Sequence, residues 1–114
     1  MLLNATTALS DGARLRLRLP HRADRAGVRA LLLGLGLETR DLDLVRALRF
    51  APRERVVACA TAFVGGTERV VAVGAIDLGE REPDLLVADE SLAPGAGAAL
   101  SGALRERSLR DAAA

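Results

Sequence analysis

The sequence predicts an α+β fold, a mainly antiparallel sheet flanked by helices, with elements in the order β-α-α-β-β-β-α. Three observations carry this expectation. They are a valine- and alanine-rich hairpin centred on Gly65-Gly66, helical spacing of apolar residues ahead of it, and a strand that enters a final helix through a Gly-x-Gly loop. At 114 residues, half of them apolar, the chain is long enough to bury a core without disulfides or metals.

Residues 1 to 12 show no period and end in Ser10-Asp11-Gly12, so they are expected as a flexible leader, with one domain over residues 13 to 114. The first strand is placed at 13 to 19, where Arg14, Arg16 and Arg18 alternate with Leu15, Leu17 and Leu19. This alternation sends the guanidinium groups to one face and the leucines to the other. The arginines read as a solvated face on an edge strand. With no Tyr or Trp to stack bases, a phosphate-binding stripe ranks behind it.

After Pro20-His21, Val28, Leu31, Leu32 and Leu35 predict a helix from about Ala23 to Leu33, ended by Gly34 and Gly36. Asp41 is placed to cap a short second helix through Phe50, and Pro52 blocks its continuation. Arg55 to Val64 and Arg69 to Leu78 then form the hairpin, because paired glycines accept the positive φ angles of a tight turn. Leu85-Leu86-Val87 predicts a short fourth strand. Gly95 opens a helix to about Arg110, with Leu100, Ala103 and Leu104 facing inward.

Sixteen basic residues, all arginine, balance fifteen acids, so the net field does not by itself steer the chain to nucleic acid. No uncharged apolar run reaches the roughly 18 to 20 residues of a membrane span, and no basic segment opens a signal peptide. One cysteine, Cys59, lies in an apolar run. It forms no internal disulfide and supplies no metal-ligand spacing, and a cytoplasmic location is the expectation.

The segment with chemical content is Val87 to Leu100, reading VADESLAPGAGAAL. Gly95 and Gly97 let a ligand approach the main chain, and the unpaired amides of the helix's first turn attract an anion. No Lys-Ser or Lys-Thr follows the glycines, and Leu100 fills the third small position of a dinucleotide fingerprint. Walker and Rossmann loops are thereby excluded.

The segment resembles the acyl-CoA pyrophosphate loop of the GNAT N-acetyltransferase superfamily. That signature is Gln or Arg, two residues, Gly, one residue, then Gly or Ala. Gly95 and Gly97 match the two small positions, and Leu92 replaces the Gln or Arg. The inferred element order, from Arg14 to about Arg110, is the one this family places before and through the loop.

The resemblance implies an acyl-CoA-dependent N-acyltransferase that moves an acetyl group from acetyl-CoA to an amine, without metal. The cofactor would be held by Val87, Leu92, Ala93, Pro94, Gly95, Ala96, Gly97 and Ala98. Val87 would offer its backbone amide to the thioester carbonyl. Asp77 and Asp84, near strand ends, are the candidate bases, each weighed against an ordinary solvated turn acid. The tyrosine acid of many members has no counterpart, since the chain has no tyrosine. His21 and Cys59 are expected to be structural.

The alternative is a non-catalytic CoA-binding or interaction module. In the family further strands follow this helix, so the sequence is also expected to lack those C-terminal strands. The Val87 side of the sheet would then meet a second copy or a partner chain.

Overall fold

A computed structural model describes residues 4–9, 12–20, 22–37 and 54–113. They form an α+β fold with five strands and two helices. The strands are β1 (Asn4–Ala8), β2 (Arg14–Arg18), β3 (Arg55–Val64), β4 (Thr67–Asp77) and β5 (Leu85–Ala88). A 3-10 turn (Arg22–Asp24) runs into α1 (Arg25–Gly34), and α2 (Ala96–Ala113) follows β5. The sheet is antiparallel throughout, in the order β1-β2-β3-β4-β5. The helix expected over 41 to 50 and the turn residue His21 lie outside the described residues.

Two expectations are corrected. The segment before residue 13 carries a strand, with Asn4 opposite Arg18 and Ala8 opposite Arg14, and beyond it Leu9 is buried in the core. Its β potential comes from pairing rather than from an apolar period. Consequently β2 is an interior strand, flanked by β1 and β3, and among the described strands the edge passes to β1. The alternation itself holds: Leu15 and Leu17 are buried while Arg14 and Arg16 are exposed.

The β3–β4 hairpin is the spine. Gly65 (φ 60°) and Gly66 (φ 82°) make its turn, where a side chain at either position would be strained. Val71 is an extra residue on β4, since Ala60 pairs with Ala72 and Thr61 with Val70. Both faces are covered. On one, Val56, Ala58, Ala60 and Ile76 pack with Leu15 and Leu17 under Leu100 and Leu104 of α2. On the other, Cys59, Val70 and Val73 pack with Leu31 and Val28 of α1 and with Val87.

Small residues on β4 bring α2 close. A Cβ on Gly74 would stand 2.9 Å from Leu104 Cδ1 and 3.0 Å from the Leu85 carbonyl oxygen, so only glycine fits without a shift. At the far end of α2, the Ser108 hydroxyl is shared between the carbonyls of Asp77 (2.9 Å) and Glu80 (3.0 Å). The helix is thus tied to the β4–β5 turn. Burial pushes the Cys59 thiol up to about 11.

Two measurements check this packing. Gly74→Val should lower the urea-unfolding free energy by about 1–3 kcal/mol, because neither Leu104 nor the β5 main chain has room to yield. Cys59 should make stability depend on alkaline pH. Its folded value of about 11 lies above the reference of 9.0, so the contribution is complete below pH 9 and is lost as pH rises through 11. The chain has no lysine or tyrosine to titrate in that window. A fall on the order of 2–3 kcal/mol is therefore expected between about pH 9 and 11. It should be absent from Cys59→Ala, whatever that variant's overall stability.

Candidate functional site

The loop after β5 begins at a strand end whose polarity is set by register. Asp89 donates its amide to the Val71 carbonyl at 2.8 Å, which makes that pair hydrogen-bonded. By antiparallel alternation Val87, opposite Val73, and Leu85, opposite Ala75, also turn their main-chain groups toward β4. The expectation for Val87 is therefore corrected: its amide belongs to the sheet. The groups directed to the other side of β5, where no described strand pairs, are those of Leu86 and Ala88.

Asp89 then folds the chain back. Its Oδ1 accepts from the Ser91 hydroxyl at 2.5 Å, from the Ser91 amide at 3.1 Å and from the Leu92 amide at 3.3 Å. The Asp89 carbonyl accepts from the amides of Leu92 (3.2 Å) and Ala93 (3.1 Å). The Ser91 hydroxyl, followed by these amides and the charge of Arg69, holds the Asp89 carboxyl below the usual carboxylate range. The Leu92 amide is thus engaged within the turn, and its side chain packs against the core beside buried Ala93 and Ala96. An apolar residue at 92 has a structural cause, and a long polar one would give up that packing.

Pro94 and Ala98 are exposed, whereas Gly97 is buried. The two glycines are needed for different reasons. Gly95 has φ 92°, a conformation that side chains rarely adopt, while a Cβ there would meet only Leu9 at 3.7 Å. At Gly97 the limit is space, since a Cβ would lie 2.8 Å from Glu90 Oε1 and 3.3 Å from the Ala88 Cβ.

Glu90 is the residue that sequence reasoning missed. Its carboxylate bridges the loop: Oε2 accepts the Gly95 amide at 2.7 Å and Oε1 accepts the Gly97 amide at 3.1 Å. Two main-chain donors at the start of α2 therefore converge on one anionic group, the arrangement that helix-terminal amides and the helix dipole favour. Among the described residues no acceptor stands against the Ala98 amide. The signal was an acid a few residues ahead of a helix start.

Asp77 and Asp84 lie at the other end of β4 and β5. Arg55 reaches both, Nη1 to Asp77 Oδ1 at 2.8 Å and Nη2 to Asp84 Oδ2 at 2.8 Å. Burial opposes the Arg55 charge, but its hydrogen bonds to Asp84 and Asp77 prevail and raise its pKa. The four residues of β5 lie between Asp84 and Asp89, a span of roughly 17 Å. The structure joins the two candidate bases to each other through Arg55 and leaves them apart from the loop.

No family model, curated protein or solved structure matches the chain. Among the described residues no helix is long and apolar enough to cross a membrane.

The glycines' separate roles are testable by urea denaturation. Gly95→Ala should cost about 1–3 kcal/mol through backbone strain. Gly97→Ala should cost less than about 1 kcal/mol, because the flexible Glu90 side chain can swing aside and alanine favours the helix.

Proposed function

We propose that the protein binds acyl-CoA through the loop from Asp89 to Ala98 and belongs to the acyl-CoA-dependent N-acyltransferases, moving an acetyl group from acetyl-CoA to an amine. The observation that carries this is the Glu90 carboxylate held by the Gly95 and Gly97 amides. An anion already sits where the resemblance to GNAT enzymes expects the pyrophosphate. A phosphate oxygen would replace each carboxylate oxygen and add a bond to the Ala98 amide.

Supporting features lie on either side of the loop. The described order β2-α1-β3-β4-β5-α2 supports the reading, being compatible with the order the resemblance expects. The outward main-chain groups of Leu86 and Ala88 offer a ladder along which a pantetheine arm would run. Binding is then a substitution, since ligand and Glu90 compete for the same donors.

The non-catalytic alternative is favoured by a specific observation, the commitment of Asp77 and Asp84 to Arg55 at the far end of the strands. On that reading the loop holds CoA without turnover, or the β5 edge pairs with a second copy or a partner chain.

Titration calorimetry with acetyl-CoA and CoA tests the first step. Glu90→Ala removes the competing carboxylate and its repulsion of phosphate, and should tighten binding about tenfold, the scale of one charge-assisted hydrogen bond. No heat with either protein at millimolar ligand would sink the proposal. Binding by both, with no CoA thiol released in the presence of amines, would select the non-catalytic reading.

A further inference from the structure

On the α1 face of the sheet, away from the loop, a cleft of about 270 Å³ opens between α1 and the paired ends of β2, β3 and β4. This is slightly below the roughly 300–1,000 Å³ of pockets for drug-sized ligands, and suits a smaller molecule. Ala23, Gly27, Ala30, Leu31 and Val70 form apolar walls. Arg18 and Asp24 also line it, joined in a bidentate pair, Nη1 to Oδ2 at 2.5 Å and Nη2 to Oδ1 at 2.8 Å. The Thr61 hydroxyl donates to Glu68 Oε1 at 2.7 Å, and that oxygen lies 4.0 Å from Arg18 Nη2.

The charges beside this cleft are unevenly committed. Arg18 is satisfied by Asp24, whereas among the described residues Glu68 Oε2 accepts no hydrogen bond. Arg16, directly across the sheet from Thr61 and on the same face as Arg18, makes no ion pair or hydrogen bond among the described residues. Arg69 also borders the cleft, but it sits between Glu68 and Val70 on β4, so its side chain points to the opposite face, where its charge acts on Asp89. On this face the charged side chains lining the cleft are Arg18, Asp24 and Glu68, and Arg16 stands beside the lining residue Thr61.

A lone ammonium at Glu68 would be opposed by Arg18, and a lone carboxylate at Arg16 would face Glu68. A molecule carrying both signs meets neither penalty. We propose that the cleft is a binding seat for a small zwitterion with an aliphatic tail, an α-amino acid of the leucine type. Its ammonium bonds to Glu68 Oε2, its carboxylate to the Arg16 guanidinium, and its tail lies against Ala30, Leu31 and Val70. The proposal requires nothing of the loop and stands or falls apart from the acyl-CoA reading.

The test is an amide-resolved NMR titration of the full chain with L-leucine, in the absence of CoA. Saturable shifts are expected at Gly27, Leu31, Thr61 and Glu68. Arg16→Gln and Glu68→Gln, both at exposed positions, should each weaken binding about tenfold or more, with Arg81→Gln as an unaffected control. 4-Methylpentanoate and 3-methylbutylamine, which lack the ammonium and the carboxylate respectively, should bind at least about tenfold more weakly. Absence of saturable shifts at the cleft overturns the proposal. So does equal binding by either half-molecule, or wild-type affinity in either variant whose remaining spectrum shows the native fold.

Discussion

The pairing of β3 with β4 is the constraint on which the rest depends, because this hairpin is buried on both faces and every other described element packs against it or extends its sheet. Its register runs from Arg55 opposite Asp77 to Val64 opposite Thr67, and the extra residue at Val71 allows two successive side chains, Val71 and Ala72, to enter the same core. A slip of one residue would reverse the faces and separate α2 from its leucine contacts. The Gly65-Gly66 turn specifies the register locally, and Arg55, held by Asp77 and Asp84, secures it at the open end. Asp77 and Asp84 thus join β3, β4 and β5 through Arg55.

That spine also determines where the loop can be. β4 carries alanine and glycine on the face under α2, so the helix lies close and its first turn comes beside the end of β5. Leu9, from the segment after β1, supports Gly95 from below. Buried Ala93 and Ala96 anchor the loop to the core, while Pro94, Gly95 and Ala98 stay exposed. The backbone donors at Gly95 and Gly97 are therefore presented by a rigid base, which suits recognition by main chain rather than by long side chains.

The parts legible in the sequence were those whose signal is local. Two runs of small β-branched residues about a glycine pair specify the β3–β4 hairpin, and the inward leucines specify α1 and α2. β1 was missed because Asn-Ala-Thr-Thr-Ala has no apolar alternation, and its pairing with β2 is a property of the sheet rather than of the segment. The main-chain direction of Val87 was missed for a related reason. Which amides of an edge strand face outward depends on the parity of its register, and composition carries no record of parity. Within the site, the glycines were legible but their different causes were not, since one is a dihedral constraint and the other is the space taken by Glu90.

The tethered Glu90 carboxylate has a consequence for selectivity if the loop takes acyl-CoA. A carboxylate five residues from one donor and seven from the other is always present at high effective concentration, in the millimolar range typical of short tethers. A ligand with one weak anionic group exchanges like for like and gains little over it. An acyl-CoA gains where a carboxylate cannot, because its pyrophosphate adds an acceptor for the Ala98 amide while its pantetheine arm meets the outward groups of Ala88 and Leu86. The internal anion would then set a threshold below which simple phosphates and carboxylates are excluded. Affinity for the intact ligand would depend on how many donors it engages at once.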